Sequence, residues 1–455
     1  MEAKVRIART RAFDVVVCGG GPAGFCAAVA AAREGARTAL LETFGMLGGT
    51  MTVGGINAPA LFHAHGRQII SGIGWELMTA LAEEGSASLP EPPFDAPHPL
   101  LAVELNAFQA AVKMDEMALG AGVTLCLRQQ AVAVLAENGH VEAVLAASPE
   151  GLERIEGRVF IDCTGDADVC AMAGAAFELG QTLQPATLNF RVAGGRLGAE
   201  EIQPRYERAL REGRLKPEDV WGGGIGALIH GRGRGRKQCW AQNPGSNLNH
   251  VYPFDGSNAQ SRIEGEIAGR RSIARLMRWL RAEAPGYENA FVAACSPFVT
   301  ARESRRVIGR EYVTGDDYIR GACPETSVCY SFYPIDVHRG DTESALDNEF
   351  HAAGRVPGIP YGALTVRDFD NLMMAGRNAS GDRRAQSAFR VQASCMAMGQ
   401  AAGTAAAMAV REGTSVGDVN VPALRERLAQ RGAIVPELYI EDFPTERQAV
   451  RAVHL

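Results

Sequence analysis

At 455 residues the chain is long enough for two or three domains and a large core, and its 46% hydrophobic and 22% charged residues are ordinary for a globular protein. A formal net charge of −6 argues against nucleic acid as the main partner, and no apolar run reaches the length of a membrane span. The opening MEAKVRIART is charged and lacks an apolar core, so no secretory signal is expected; ten cysteines without a C-x-x-C pair read as reduced thiols of a cytoplasmic protein, with Cys18, Cys26, Cys163 and Cys395 in apolar segments.

An apolar run without periodicity over residues 13–18 predicts a strand buried on both faces. Gly19, Gly21 and Gly24 follow at the spacing G-x-G-x-x-G. The first permits a tight turn, the second lets the backbone approach phosphate oxygens, and the third lets helix and strand pack closely. Pro22 suits a first helical turn, the alanine-rich stretch 23–33 reads as the helix, and Gly35 is placed to end it. The start of that helix would turn free N–H groups toward a pyrophosphate. A second strand over 38–41 ends at Glu42, about 20 residues past the turn, where a carboxylate binds ribose hydroxyls and disfavours a 2′-phosphate. The alternative is a glycine-rich turn with no ligand. Against it, strand, turn, helix, strand and acid occur in order.

Gly45, Gly48 and Gly49 complete an E-x-x-G-x-x-G-G run, whose glycine pair lets a loop lie against phosphates and a ribityl chain. Residues 131–135 and 141–146 read as a β-meander leading to a strand that closes at Thr164-Gly165. Near the other end, residues 371–376 read as a buried strand ending in Gly376, followed by a long helix over 394–410 with Gly399 and Gly403 on one face. A nucleotide site assembled from both ends of a chain points to FAD more than to a simple NAD domain. The N-terminal end of the long helix would then favour negative charge at the N1/C2=O side of the reduced flavin ring.

The segments GGGPAG, ETFGMLGGTMTVGGIN, IDCTGDADV, ARESRRVIGREY, NLMMAGRNAS and CMAMGQAAGTAAA resemble the glutathione-reductase-type FAD fold. More narrowly, they resemble the FAD-dependent oxidoreductases sometimes labelled "xanthan lyase-like" flavoproteins. The resemblance runs over roughly residues 12–410, and the RESRR and G-Q-A-A-G segments are its more specific parts. It implies an α/β fold with a Rossmann-like FAD/NAD(P)-binding domain and an inserted substrate or lid domain. The first part of the FAD domain, meander included, would span 12–194, the insert 195–355, the second part 356–412, and a C-terminal helical tail 413–455. By the same resemblance Gly19, Gly21, Pro22, Ala23 and Gly24 would hold the pyrophosphate. Glu42, with Thr43 beside it, would hold the adenosine ribose, and Gly48 and Gly49 the phosphate–ribityl stretch. A backbone group near Val132 would meet adenine, with Thr164 and Gly165 beneath it, and Gly376 would reach the ribityl chain. Many related flavoproteins carry an aspartate after that second glycine; here Arg377 stands there, so Asp382 or backbone groups would take the ribityl hydroxyl.

In the middle of the chain, Arg302-Glu303-Ser304-Arg305-Arg306 reads as a strand with Arg302, Ser304 and Arg306 on one face. Arg302 or Arg305 could grip an anionic or carbonyl group of a substrate; the alternative is an internal Arg–Glu network holding the insert in place. His63, His65, His250 and His338 are candidate proton handlers, each also readable as a structural or surface histidine. Their spacing does not fit a zinc site, and no metal is expected. No motif for covalent flavin attachment stands out. The glycine-rich basic run over 231–237 reads as a solvated loop, with phosphate binding as the alternative, and residues 264–281 as an amphipathic helix.

The function expected from these residues is FAD-dependent oxidation or reduction, with hydride transfer between a small organic substrate and flavin N5. The alternatives are a flavin with a structural or non-redox, lyase-like role, and an NAD-binding oxidoreductase. The expected partners are a small-molecule substrate and an electron acceptor the sequence does not identify, with no nucleic acid and no membrane; a homo-oligomer is compatible with the sequence.

Overall fold

The computed structural model describes residues 6–95, 101–195, 199–220, 249–340, 346–352 and 354–437. Strand β1 (Ile7–Cys18) leads through a glycine turn into helix α1 (Pro22–Arg33) and strand β2 (Thr38–Glu42). Helix α2 (Ala107–Gly120) then feeds β3 (Thr124–Leu127), and β4 (Gln130–Glu137), β5 (His140–Ser148) and β6 (Gly151–Asp162) follow as a meander. Strand β7 (Phe190–Ala193), helix α3 (Ala259–Glu283) and strand β8 (Phe291–Cys295) lie in the middle of the chain. Strands β9 (Ile335–His338) and β10 (Leu372–Met374) and helices α4 (Gln392–Glu412) and α5 (Val421–Gln430) complete the elements used below.

Among the described residues the main sheet has seven strands in the order β3-β2-β1-β6-β5-β4, with β10 also paired to β6. β1, β2, β3, β6 and β10 run parallel. The length of β6 explains its two kinds of neighbour. Its first half pairs antiparallel with β5 (Ile155 with Val144), and its last residues, Phe160–Asp162, pair with β10. Only the last four residues of β1, Val15–Cys18, are buried, and these are the ones held between β2 and β6. That is why this stretch reads as unbroken apolar sequence rather than alternation. Val15 and Val17 face one apolar cluster with Ile161 and Met373, and Val16 and Cys18 face another with Phe160 and Met374.

Helices α1 and α4 pack against each other in the first cluster. A Cβ at Gly399 would overlap the Ala23 carbonyl, and one at Gly403 the Ala27 carbonyl. The two glycines lie four apart, one turn of helix, and let the backbones approach more closely than any side chain would permit. This ties the two ends of the chain together beside β1.

A separate apolar cluster runs from Ala186 to Val299 and joins β7, α3 and residues such as Leu188, Leu276 and Trp279. From Val313 to Ile335 the chain packs back into the first cluster, although the sequence assigned that stretch to the insert. The strand expected over 302–306 is a correction: only Arg306–Val307 is strand, paired with Phe177–Glu178. Residues 302–305 are loop, and Glu303 is as buried as Arg302 and Ser304. Ionic bonds rather than a neighbouring strand hold the segment, with Glu303 accepting from Arg306 at 2.8 Å and from Arg383 at 2.9 Å. Among the described residues no helix is long and apolar enough to cross a membrane. The basic run over 231–237 lies outside the described residues.

Candidate functional site

The loops that leave the C-terminal ends of β1, β6 and β10 meet around one cavity of about 460 Å³. Such a crevice at the ends of parallel strands is where open α/β sheets bind ligands. Its wall takes in Gly19 and Gly21 from the first loop, Thr164 and Gly165 from the second, and Gly376 and Arg377 from the third.

The glycine turn has three distinct geometries. Gly19 has φ +102°, and a Cβ there would sit against the Cys163 backbone. A Cβ at Gly24 would overlap the Gly19 carbonyl, so this glycine sets how close α1 lies to the turn. Gly21 has an ordinary φ of −67°, and its missing Cβ has nothing within 4 Å although the residue lines the cavity. Its lack of a side chain therefore relieves no strain in the protein and leaves free space in the cavity. No side chain caps the first turn of α1, so its leading N–H groups face that space unclaimed. Residues of this kind fit a pyrophosphate.

At the end of β2, Glu42 accepts hydrogen bonds from the Gly20 N–H and the Phe44 N–H, both at 2.7 Å. Burial raises its pKa, against the pull of those N–H donors. The Thr43 N–H also acts on it, and an ionised carboxylate with roughly four acceptor positions keeps capacity for a further donor. Phe44 and Phe298 stack at 4.8 Å and close this end of the cavity together with Gln130 and Ala131. Asp162, at the end of β6, is fully buried and accepts from the Thr164 N–H (3.0 Å), the Thr164 hydroxyl (2.7 Å) and the Cys170 N–H (2.8 Å), which fixes the Cys163–Gly165 turn. Arg377 donates to Asp166 and to the Ser304 hydroxyl, both at 2.8 Å. Burial pushes the Asp166 carboxyl up, but Arg377 and Arg262 hold it below the usual carboxylate range.

The other end of the cavity carries Thr187, Arg302, Tyr333, Asp336, His338, Arg390 and Gln392. Arg302 donates to the Pro185 carbonyl (2.7 Å) and to the Thr187 hydroxyl (2.9 Å). Asp336 and His338 alternate on β9, and the imidazole of His338 bridges Asp336 at 3.2 Å and His250 at 3.3 Å. Arg390 stands 3.6 Å from Asp336. Burial and the nearby Arg302 charge lower the His338 pKa to about 4, so the ring is neutral at pH 7. Burial pushes Asp336 up, but the hydrogen bond from His338 and the charges of Arg390 and Arg302 keep the carboxylate charged. Buried polar atoms on the wall without a protein partner include Thr300 Oγ1, Arg390 Nε and Gln392 Oε1.

Of the residues expected from sequence, Gly19, Gly21, Pro22, Ala23, Glu42, Thr43, Gly49, Thr164, Gly165, Arg302, His338, Gly376 and Arg377 lie on this wall. The others lie off it. Gly24 faces the Gly19 carbonyl, and the Gly48 N–H donates to the Gly20 carbonyl. Val132 is 43% exposed, and Ala131 stands on the wall in its place. The Asp382 carboxylate caps the helix Arg383–Phe389 by accepting from the Ala385 N–H, and also accepts from the Gly315 N–H. Arg305 is paired with Asp168 at 2.9 Å. His63 stacks on Phe94 at 4.0 Å and His65 packs edge-on to Phe332, and neither lines the cavity. His250 does not line the wall itself but contacts His338, which does. Asp336, Arg390 and Gln392 were not singled out from sequence; the Asp-x-His alternation of β9 was the signal available. Among the described residues no group of three or more His, Cys, Asp or Glu is placed to hold a metal ion.

A family model described as FAD dependent oxidoreductase matches residues 14–428. Dihydrolipoyl dehydrogenase of Trypanosoma brucei brucei is 55% identical over 53 residues, 11% of this chain and 11% of that protein. The mitochondrial dihydrolipoyl dehydrogenase of Pisum sativum is 47% identical over 64 residues, 12% of this chain and 13% of that protein. The chain thus matches only about a tenth of the length of these curated relatives. Among solved structures, a geranylgeranyl bacteriochlorophyll reductase-like protein from Thermoplasma acidophilum aligns at a TM-score of 0.41 and 13% identity, covering 93% of this chain and 84% of that one.

Proposed function

This chain belongs to the FAD-dependent oxidoreductase family and takes FAD as its cofactor, and from that premise we propose that it transfers a hydride between flavin N5 and a small organic substrate bearing a carbonyl or carboxylate group. What supports this is the continuous cavity whose wall holds the glycine turn at one end and Arg302, Asp336, His338 and Arg390 at the other. We read the fold as the glutathione-reductase type, with residues 12–194 and 356–412 forming the FAD domain, 195–355 the insert and 413–455 the tail. The parallel order β3-β2-β1-β6-β10 and the meander β4-β5-β6 support that reading.

Bound FAD supplies a two-electron acceptor or donor at its N5. The protein's part is positioning and charge. Gly19, Gly21 and the first turn of α1 hold the pyrophosphate, and the acceptor positions left on Glu42 take ribose hydroxyls. Gly49, Gly376 and backbone groups beside them hold the ribityl stretch, and Gln130 and Ala131 meet adenine. At the ring end, two guanidinium groups, Arg302 and Arg390, flank one carboxylate, Asp336, so the wall carries net positive charge toward an anionic or polarised substrate oxygen. Asp336, linked through neutral His338 to His250, holds or passes the substrate proton.

The test is anaerobic mixing of the purified yellow protein with a panel of small hydroxy acids, keto acids and aldehydes, in oxidised and reduced forms. At least one should bleach or restore the flavin band, and Arg302→Gln should slow it about 100-fold with FAD content unchanged. A flavin that exchanges electrons with none of them, or an Arg302→Gln protein as fast as the parent, would refute the reading.

A further inference from the structure

A second cavity, of about 450 Å³, lies beside the first and is bounded by Met46, Val53, Asn57, Phe108, Asn189 and Arg191, among others. Asn57 lines both cavities, with its side-chain N–H₂ committed to the Leu105 carbonyl at 2.6 Å. Most other polar groups on the second wall are also committed. The Thr52 hydroxyl donates to the Leu47 carbonyl at 2.5 Å, and the Ser296 hydroxyl to the Val53 and Phe298 carbonyls. The Asn106 carbonyl oxygen accepts from the first-turn N–H groups of α2.

Asn189 and Arg191 carry donors that are not committed. Asn189 is only 3% exposed, yet its Nδ2 has no hydrogen-bond partner. Arg191, two residues on and half-buried, has no ion pair or hydrogen bond among the described residues. No Asp or Glu lines the cavity among the described residues. A half-buried guanidinium without a counter-charge and a buried amide without an acceptor are both costly, and one anion would satisfy both. The start of α2, with Ala107 and Phe108 on the wall, adds partial positive charge. The rest of the lining, Met46, Val53, Phe108, Phe190 and Ala294, is apolar.

We propose that this cavity binds a small organic carboxylate, its oxygens on Arg191 and Asn189 and its apolar body against Phe108, Val53 and Met46. The site is distinct from the FAD cavity and does not depend on the hydride-transfer reading. An inorganic anion would satisfy the donors but leave the apolar wall unused.

Calorimetric titration of the FAD-loaded protein with benzoate tests this, with benzamide and inorganic phosphate as comparisons. Benzoate should bind one to one, and benzamide at least about tenfold more weakly because it lacks the charge. Arg191→Gln should weaken benzoate at least about tenfold while leaving the flavin spectrum and melting temperature in place. Ala294→Glu is a second variant, since Ala294 is exposed and lies directly opposite Arg191 across β7 and β8. Its carboxylate would take the guanidinium for itself and should also abolish benzoate binding. Absence of benzoate binding, equal binding of benzamide or phosphate, or binding that survives either variant would overturn the proposal.

Discussion

Gly21→Ala separates a glycine kept for the fold from one kept for a ligand. The backbone at Gly21 is at φ −67° and ψ −173°, a region any residue adopts, and the added methyl would meet no atom within 4 Å. The protein without FAD should therefore be as stable as the parent, or more stable by about 0.4–1 kcal/mol through lost freedom of the unfolded chain. The same methyl points into the space where a phosphate would meet the turn. Losing one hydrogen bond to a charged oxygen costs about 1.5–3 kcal/mol, which is roughly 10–150-fold in FAD affinity. Fluorescence titration of the apoprotein with FAD, beside urea unfolding of the same sample, measures both quantities. Unchanged FAD affinity would refute the assignment of this turn to the pyrophosphate. A marked loss of apoprotein stability would refute the claim that the cradle is empty of protein atoms.

Gly403→Ala should do the opposite, since its Cβ would overlap the Ala27 carbonyl. A destabilisation of about 1–3 kcal/mol in urea is expected as α4 is pushed off α1. Arg377→Gln should cost about 1–3 kcal/mol, seen as a lower urea midpoint, because it leaves the partly buried Asp166 carboxylate with the Ser304 hydroxyl and the more exposed Arg262. His63 is buried with Nδ1 unpartnered, and burial lowers its pKa from 6.5 to about 4. The unfolded chain then binds the extra proton between those values, so stability is full above pH 6.5 and falls as the pH drops toward 4. His63→Phe should reduce that slope in unfolding measurements at pH 7 and pH 5, and the slopes due to His338 and His351, also lowered to about 4, should remain.

The glycine turn, α1 and the apolar strands were readable because local rules govern them. The turn spacing, Pro22 at the first turn and an unbroken Val15–Cys18 run carry their meaning without knowing the neighbours. Gly399 and Gly403 were visible as a face of a helix, but not what lay against them; α1 is more than 360 residues away. The 302–306 segment misled because Arg-Glu-Ser-Arg-Arg alternates like a strand, whereas buried ion pairs from Glu303 to Arg306 and Arg383 fix it as a loop. Asp382 looked free for a ligand and is instead the cap of a short helix. The far wall was harder still. Arg302, Asp336 and Arg390 are joined only by tertiary packing, and no spacing rule links them.

The most direct measurement is a crystal structure of the FAD-loaded protein. The pyrophosphate should lie against Gly21 and the ribityl chain against Gly376, with the adenine toward Ala131 and the flavin ring bordered by Arg302, Asp336 and Gln392. A flavin ring at the Phe44–Phe298 end, or a glycine turn with no phosphate on it, would contradict the account.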